Sequence, residues 1–328
     1  MAKTVLMSHA LYETGMAVLK ENAEVIVANN SDMQAVLDDL KKADGLILRV
    51  GKITREIMEA CPNLKVIARP GVGVDNVDMK AATELGIPVV IAPGTNKRSV
   101  AEHAVGMAYA ITKNIVESHT ETSKGNFNIR NKYMAIELER HHVGIVGFGN
   151  IGRETAKIFA NNEMQVHVYD PFVAKEVVEE EYHYVYHADL ADLLKVCDVI
   201  SLHMPSLPET RNMLNTERFA QMKDGIFIVN CARGDIIDED ALYDALKSGK
   251  VAGAAVDVLC SEPMDTSSKL FSLPNFIATP HMAALTQESA DRTSRLTVEG
   301  TLAVLRGEKW DKVANKEVYQ HKRWQENK

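Results

Sequence analysis

Cysteine is scarce in this sequence, and the signals of secretion and membrane insertion are missing. The 328 residues include 4 cysteines, none of them in a C-x-x-C pair, and the histidines form no cluster with metal-ligand spacing. We therefore expect free thiols in a reducing cytoplasm, with neither a disulfide framework nor a metal site. The N-terminus lacks signal-peptide architecture. No apolar run approaches the roughly 18 residues of a membrane span.

Basic residues are also fewer than acidic ones, 37 against 45. The formal net charge is -8, which disfavours nonspecific nucleic-acid binding and means that an anionic ligand would need a local basic pocket. With 46% hydrophobic and 25% charged residues, the composition is that of an ordinary soluble globular protein. We expect a cytoplasmic protein of about two domains, with no nucleic-acid or membrane partner.

The strongest chemical signal lies in mid-chain. Residues 143–146 form a short apolar run typical of a buried strand, and Gly147, Gly149 and Gly152 follow it as G-x-G-x-x-G before a helical pattern. A second strand-like run ends at Asp170, 18 positions after the third glycine. This order of strand, glycines, helix, strand and acid is typical of a dinucleotide-binding unit.

Each residue of that motif has a physical task. Gly147 permits a tight turn, Gly149 lets a pyrophosphate approach the backbone, and Gly152 lets the helix pack close to the sheet. Backbone N–H groups and the helix dipole then favour phosphate. Asp170 can accept hydrogen bonds from ribose hydroxyls and would repel a 2′-phosphate, so the motif predicts NAD rather than NADP. The alternative is an ordinary strand–helix turn whose glycines serve packing only.

Short apolar runs alternate with helical patterns on both sides of the motif. This alternation predicts an α/β fold with two doubly wound parallel sheets. Because the nucleotide motif lies in mid-chain, we expect a discontinuous layout, with a substrate domain from residues 1–98 and 286–328. Residues 99–285 would form a Rossmann NAD domain, with a ligand cleft between the two domains. Ser99 is predicted to cap a helix over 99–115, and residues 117–141 are predicted to be an irregular, protruding arm.

Three polar side chains follow strand-like runs later in the chain. They are Arg233, Glu262 and His281, and the carboxyl ends of strands line the ligand crevice of an open α/β sheet. A guanidinium can grip a 2-oxo or 2-hydroxy carboxylate, and an imidazole can take a hydroxyl proton. A neighbouring carboxylate would fix the imidazole tautomer. The alternative is a surface ion pair of Arg233 with Glu262 and a turn residue at His281.

Together these motifs give the chain a family likeness. It resembles the D-isomer-specific 2-hydroxyacid dehydrogenases, most of all the phosphoglycerate dehydrogenases, over about residues 43–306. The resemblance rests on the glycine motif and on residues 46–49, 69–78, 99–102, 230–234, 255–258, 262–263 and 280–281. It implies a two-domain fold, with a flavodoxin-like substrate domain beside the Rossmann domain. The chain ends at Lys328, so we expect a short form without a C-terminal regulatory domain.

The resemblance also implies residue roles. Arg233, Glu262 and His281 would be the catalytic triad, and Arg233 would also align the substrate. Besides the three glycines, the resemblance implies cofactor contacts for Asn150, Ile151, Asp170, Met204, Cys231, Ala232, Asp257 and Val72. Among these, Asp257 would bind the nicotinamide carboxamide. Gly73 and Val74 would offer backbone N–H groups to the substrate carboxylate. A homodimer formed through the cofactor domains is implied, with residues 117–141 reaching across.

Substrate choice is less well specified by the sequence. Arg49 and Arg69 follow strand-like runs in the first domain and could recognise a phosphate, which favours 3-phosphoglycerate and 3-phosphohydroxypyruvate. However, Val50 and Val72 stand where phosphoglycerate enzymes usually carry hydroxyl residues. Glyoxylate, hydroxypyruvate or another small 2-oxo acid is therefore an alternative. A further alternative is an NAD-sensing binding protein similar to the corepressors of this family.

Overall fold

The computed structural model describes residues 3–325. The chain divides into two compact units, one formed by the residues up to Asn96 together with those from Thr286 onward, the other by Lys97–Leu285. Each unit is built on one parallel β-sheet flanked by helices, which confirms the predicted α/β class. Among residues 3–325, no helix combines the length and apolarity needed to cross a membrane.

The two sheets together contain twelve strands in the described residues. The strands are Thr4–Met7 (β1), Glu24–Val27 (β2), Gly45–Ile47 (β3), Val66–Ala68 (β4), Val89–Val90 (β5), His142–Val146 (β6), Gln165–Tyr169 (β7), Val185–Tyr186 (β8), Val199–Leu202 (β9), Ile226–Asn230 (β10), Val251–Val256 (β11) and Phe276–Ala278 (β12). The helices are Glu13–Asn22 (α1), Leu37–Leu40 (α2), Arg55–Glu59 (α3), Met79–Glu84 (α4), Lys97–Thr112 (α5), Ile115–Ser123 (α6), Asn150–Asn161 (α7), Leu190–Val196 (α8), Thr216–Gln221 (α9), Glu239–Ser248 (α10) and Gln287–Leu305 (α11).

The first unit has the strand order β2-β1-β3-β4-β5. Its inner strands are apolar and buried throughout, as expected where helices cover both faces of a parallel sheet. The long C-terminal helix α11 returns to this sheet and packs against α1. At that crossing a Cβ on Gly15 would lie 2.7 Å from the Ser294 Cβ, so glycine is what lets the two helices approach.

The second unit has the strand order β12-β11-β10-β9-β6-β7-β8. The chain reverses direction across the sheet at β6, which pairs with β9 on one side and with β7 on the other. In open α/β sheets such a switch point leaves a crevice at the carboxyl ends of the strands. The glycine motif follows β6 directly, so it lies at the switch point.

Two local predictions were wrong. Ser99 does not cap a helix, because α5 begins two residues earlier at Lys97 and buries Ser99. The stretch 117–141 is not wholly irregular, because it overlaps α6 and contains the 3-10 turn Phe127–Asn131. Asn114 separates α5 from α6 in a left-handed conformation with φ 52°, which asparagine tolerates better than most residues. No residue of α6 is fully buried, so it has no apolar stripe that would predict a helix.

Candidate active site

The glycine-rich turn has the geometry that each of its glycines suggests. Gly147 has φ 96°, and a Cβ there would lie 2.8 Å from the His203 carbonyl. A Cβ on Gly152 would lie 2.0 Å from the Gly147 carbonyl oxygen, so the first turn of α7 packs directly on the loop. At Gly149, no described atom lies within 4 Å of the Cβ position. The backbone there is open to an approaching phosphate.

Asp170 holds the other side of this turn. Its Oδ2 accepts the Phe148 N–H at 2.7 Å, and its Oδ1 accepts the Phe172 N–H at 2.8 Å. The carboxylate is thus fixed in position at the end of β7, and each oxygen keeps a further lone pair for a ribose hydroxyl. The two residues that follow it are Pro171 and Phe172, and neither carries a positive charge that would attract a 2′-phosphate.

The turn after β9 lies against the glycine loop. A Cβ on Gly147 would lie 3.0 Å from the Met204 backbone nitrogen, which puts Met204 beside the predicted phosphate site. His203 turns inward, with its Nε2 2.8 Å from the Ser201 hydroxyl. Burial lowers the pKa of His203 to about 3, so its imidazole adds no positive charge beside the turn.

The turn after β10 carries Cys231, Ala232 and Arg233. The buried Asn230 side chain shapes it, since Oδ1 accepts the Ala232 N–H at 2.9 Å and Nδ2 donates to the Arg233 carbonyl at 2.8 Å. Arg233 Nη1 donates to the Ala232 carbonyl at 2.7 Å. Burial raises the pKa of the Cys231 thiol above its ordinary value, which argues against a thiolate nucleophile.

Gly234 joins this turn to the loop that carries Glu262. A Cβ on Gly234 would lie 2.0 Å from the Leu259 carbonyl carbon, so only glycine allows the two backbones to approach this closely. β10, β11 and β12 are parallel neighbours, and Arg233, Glu262 and His281 follow them at the same edge of the sheet.

Glu262 and His281 form a direct hydrogen-bonded pair. The His281 Nδ1 lies 2.9 Å from the Glu262 Oε2, and both side chains are about half exposed. Because the carboxylate can only accept, Nδ1 carries a proton, which leaves Nε2 as the ring nitrogen that can exchange one. His281 has φ 51°, an uncommon conformation for a non-glycine residue and one that often accompanies function.

Asp257 fixes the loop on which His281 stands. Its carboxylate is 1% exposed and accepts the Met282 N–H at 2.9 Å and the Ala283 N–H at 2.8 Å. Its backbone carbonyl accepts the His281 N–H at 2.8 Å. The predicted contact of Asp257 with the nicotinamide carboxamide stays a prediction, whereas its contacts with the histidine loop are present in the fold.

Sequence reasoning missed two members of this network. The Thr279 hydroxyl donates to Asp257 Oδ1 at 2.5 Å and lies 3.0 Å from His103 Nε2. Since the hydroxyl proton is on the Asp257 side, the imidazole of His103 donates to Thr279. The sequence offered one signal, the position of Thr279 directly before Pro280 and His281. Nothing near His103 in the chain links it to a loop 176 residues away.

In the first unit, Arg69 binds backbone. Its Nε donates to the Gly73 carbonyl at 2.9 Å, and its Nη1 donates to the carbonyls of Leu48 and, at 2.7 Å, Arg49. Arg69 thereby ties the loop after β3 to the loop after β4. The exposed side chain of Arg49 makes no hydrogen bond with the described residues.

The loop after β4 also carries the other predicted substrate contacts. Within the described chain, the N–H groups of Gly73 and Val74 have no acceptor, and Val72 is exposed. Contacts of these residues with substrate or cofactor stay predictions. No group of three or more His, Cys, Asp or Glu side chains in residues 3–325 is arranged to hold a metal ion.

A parallel sheet with a glycine turn at its switch point, and an acid at the end of the next strand, defines a dinucleotide-binding domain of the dehydrogenase type. The open backbone at Gly149 and the fixed Asp170 fit NAD. Residues 105–283 match the family described as D-isomer specific 2-hydroxyacid dehydrogenase, NAD binding domain. The chain belongs to this family, which confirms the resemblance inferred from its motifs, and its cofactor is NAD.

Several relatives resemble the chain over most of its length. D-3-phosphoglycerate dehydrogenase of Methanocaldococcus jannaschii is 40% identical over 95% of this chain and 59% of its own. Glyoxylate reductase of Thermofilum pendens is 36% identical over 96% and 95%, and hydroxypyruvate reductase of Thermotoga maritima is 40% identical over 87% and 92%. The chain thus spans between 49% and 59% of the length of these phosphoglycerate dehydrogenase relatives.

Among solved structures, a D-lactate dehydrogenase from Aquifex aeolicus in complex with NAD and lactic acid has a TM-score of 0.81. It is 32% identical, and the match covers 93% of this chain and 96% of that one. This likeness extends to both units of the chain.

Proposed function

We propose that this protein is an NAD-dependent oxidoreductase that interconverts a D-2-hydroxy acid and the corresponding 2-oxo acid. The observation that carries the proposal is the 2.9 Å pair of His281 and Glu262, at the same sheet edge as Arg233 and in the same unit as the glycine motif. The first unit would be the substrate domain, and the second the NAD domain.

The side chains divide the chemistry among them. NAD, when bound, accepts or supplies the hydride. His281 Nε2 takes the substrate hydroxyl proton in the oxidation and returns it in the reduction. Glu262 keeps that imidazole in the required tautomer and stabilises its protonated form. Arg233 binds the substrate carboxylate and aligns the reacting carbon, and alignment supplies a large share of the rate.

We infer that the substrate pair is 3-phosphoglycerate and 3-phosphohydroxypyruvate. The likeness to phosphoglycerate dehydrogenases at 40% identity supports this. So does the exposed guanidinium of Arg49 at the carboxyl end of β3, since it is open to a phosphate. Gly73 and Val74 would supply N–H donors to the substrate carboxylate.

A small unphosphorylated acid, glyoxylate or hydroxypyruvate, is the second candidate. The relatives with those reductase names match this chain over at least 92% of their own length. Val50 and Val72 offer no hydroxyl to a phosphate, and Arg69 already binds three backbone carbonyls.

Steady-state kinetics with NADH and a panel of 2-oxo acids tests the proposal. His281→Ala should lose orders of magnitude in kcat while NADH affinity stays near that of the parent. Glu262→Gln should lower kcat while NADH affinity is retained, because the amide can turn its NH2 group toward Nδ1 and no longer fixes the tautomer and orientation of the His281 imidazole. A parent chain that binds NADH but turns over no 2-oxo acid would favour the alternative of an NAD-sensing binding protein.

Arg49 separates the two substrate candidates. Arg49→Gln should raise KM for 3-phosphohydroxypyruvate at least about tenfold, since hydrogen bonds to charged groups contribute roughly 1.5–3 kcal/mol, and should leave KM for hydroxypyruvate nearly unchanged. Lys52→Gln makes the same charge change at an exposed site nearby and is the control. Equal effects on both substrates would contradict phosphate recognition by Arg49.

We also propose a homodimer in which residues 117–141 reach the partner. This stretch and the start of α6 expose large apolar side chains, with Phe127 70% and Met134 95% exposed. Phe127→Asp with Met134→Asp should shift the sedimentation coefficient to that of a monomer. A parent that sediments as a monomer would refute the proposal.

A further inference from the structure

The amino edge of the first sheet carries a cluster of cations that the proposed chemistry does not use. Lys3, Asp44 and Lys65 directly precede β1, β3 and β4. Arg49 and Arg69 follow β3 and β4, so they lie at the opposite edge of the same sheet. A cavity of about 270 Å³ opens at the amino edge, lined in part by Lys65, Arg306, Arg323 and Trp324. We call it the amino-edge cavity.

Carboxylates neutralise this cluster only in part. Lys3 and Lys65 share one carboxylate oxygen, Asp44 Oδ1, at 3.0 and 3.1 Å. The close approach of Lys3, followed by burial, lowers the pKa of Lys65, as expected when two ammonium groups compete for one acceptor. An additional anion would relieve this competition.

Arg323 is the most poorly matched of these cations. Its Nη1 donates to the Leu64 carbonyl at 3.2 Å, and within residues 3–325 no carboxylate forms an ion pair with it. Burial lowers the pKa of the Arg323 guanidinium, because desolvation without a counter-charge disfavours the cation. Arg306, by contrast, is paired with Glu308 through two contacts of 2.6 and 3.1 Å.

The cavity lining also includes an aromatic side chain, Trp324, which is held in place by two contacts. Trp324 Nε1 donates to the Gly86 carbonyl at 3.0 Å, and its ring packs edge-on against Tyr319. The C-terminal 3-10 turn Lys322–Trp324 is therefore tied to the body of the unit at Leu64 and Gly86. A ligand bound by both Arg323 and Lys65 would add a third contact between this turn and the rest of the first unit.

We propose that the amino-edge cavity binds a small multivalent oxyanion, a phosphate or phosphomonoester, through the Arg323 guanidinium and the Lys65 ammonium. A partly desolvated guanidinium presents its N–H donors as a fork that matches two phosphate oxygens. Cations outnumber carboxylates in this cluster, since Lys3 and Lys65 share Asp44, Arg306 is paired with Glu308, and Arg323 has no carboxylate partner within residues 3–325. The bound anion stabilises the first unit and holds the C-terminal turn in place.

The fluorescence of Trp324 gives a local readout of binding. The chain has 2 tryptophans, so Trp310→Phe leaves Trp324 as the sole reporter. The full-length protein is titrated with inorganic phosphate at constant ionic strength, with chloride and acetate in parallel. We expect a saturable change with phosphate and none with the two monovalent anions. A response that is linear, or equal for chloride, would show screening only and would overturn the proposal. Equal saturation by acetate would overturn the assignment to a multivalent oxyanion.

Matched variants locate the site. Arg323→Gln should weaken phosphate binding at least about tenfold, as expected for loss of hydrogen bonds between charged groups. Lys322→Gln changes the same charge at the exposed neighbouring residue and should bind as the parent does. Arg49→Gln should also leave the Trp324 response intact, because Arg49 lies at the opposite edge of the sheet. Its loss would weaken only phosphate bound at that edge. Unchanged binding in Arg323→Gln, or equal loss in Lys322→Gln, would refute the site.

A folding control keeps the test decisive. If far-UV circular dichroism shows that Arg323→Gln is unfolded, Arg323→Lys keeps the charge and loses the forked donors. The lysine variant should fold and bind phosphate more weakly than the parent. A folded lysine variant with parental affinity would contradict the assignment of the guanidinium as the oxyanion ligand.

Discussion

Three histidines linked across the sheet of the NAD unit should make its stability depend on pH. His142 Nδ1 lies 2.7 Å from His167 Nε2, and His167 Nδ1 lies 2.8 Å from His187 Nε2. His167 is 7% exposed and hydrogen-bonds through both ring nitrogens. A protonated His167 would donate from both ring nitrogens, so His142 Nδ1 and His187 Nε2 would both have to accept a hydrogen bond. Protonation of either of those nitrogens would remove the acceptor and leave a buried N–H group without a partner.

The size of the effect follows from the pKa. Burial, then the nearby His187 and His142, lowers the pKa of His167 from 6.5 to about 4. Because the folded value lies below the unfolded one, this histidine contributes its full stability above about pH 6.5 and loses it as pH falls toward 4. The difference corresponds to about 3 kcal/mol of unfolding free energy, at most about 1.4 kcal/mol per pH unit.

Hydrogen exchange of peptides that cover β6 and β7 measures the stability of this unit separately from the first one. After correction for intrinsic exchange rates, the opening free energy of the parent should fall between pH 6.5 and 4.5. His167→Asn should flatten that dependence, because the titrating group is gone. His119→Gln removes an exposed histidine and should keep the parental slope. Parallel slopes in the parent and His167→Asn would refute the reasoning.

Three further substitutions test the active site. Gly152→Ala places a Cβ 2.0 Å from the Gly147 carbonyl oxygen and should lower NADH affinity more than about tenfold in a fluorescence titration, since packed backbone must move. Gly106→Ala, at an open helical position, is its control. Thr279→Val should lower kcat roughly tenfold, by loss of a hydrogen bond to a charged group, with NADH affinity retained and kcat restored in Thr279→Ser. Asp170→Asn should lower kcat/KM for NAD relative to NADP, and an unchanged ratio would remove Asp170 from cofactor choice.

The parts of the site that were predictable from sequence are those encoded by neighbouring residues. The turn at Gly147, Gly149 and Gly152 depends on backbone conformation and close packing within one strand–helix connection, so spacing alone indicates it. The pairing of Glu262 with His281 was harder to predict, since it requires two loops from different parts of the chain to come together. Parallel neighbouring strands end at the same edge, which made the juxtaposition of the loops predictable but not the 2.9 Å contact.

Interactions that join distant loops through buried polar atoms were not predictable. Asp257 binds the N–H groups of residues 282 and 283 as well as the Thr279 hydroxyl. A strand-end aspartate looks the same in sequence whether it contacts a ligand or a loop. The boundary between α5 and α6 was missed for a related reason, because the left-handed conformation of Asn114 is one of several that asparagine adopts readily.

The two arginines of the first unit show how far this ambiguity reaches. Arg49 and Arg69 both follow a short apolar strand, so the sequence assigns both to the same ligand. In the fold, the Arg69 guanidinium is committed to backbone, since it donates to the loop carbonyls of Leu48, Arg49 and Gly73. Removing the Arg69 guanidinium would loosen the loop that carries Gly73 and Val74, whichever 2-oxo acid is bound. Its loss should therefore raise KM for phosphorylated and unphosphorylated substrates alike, whereas under our proposal Arg49 alone distinguishes the two kinds of substrate.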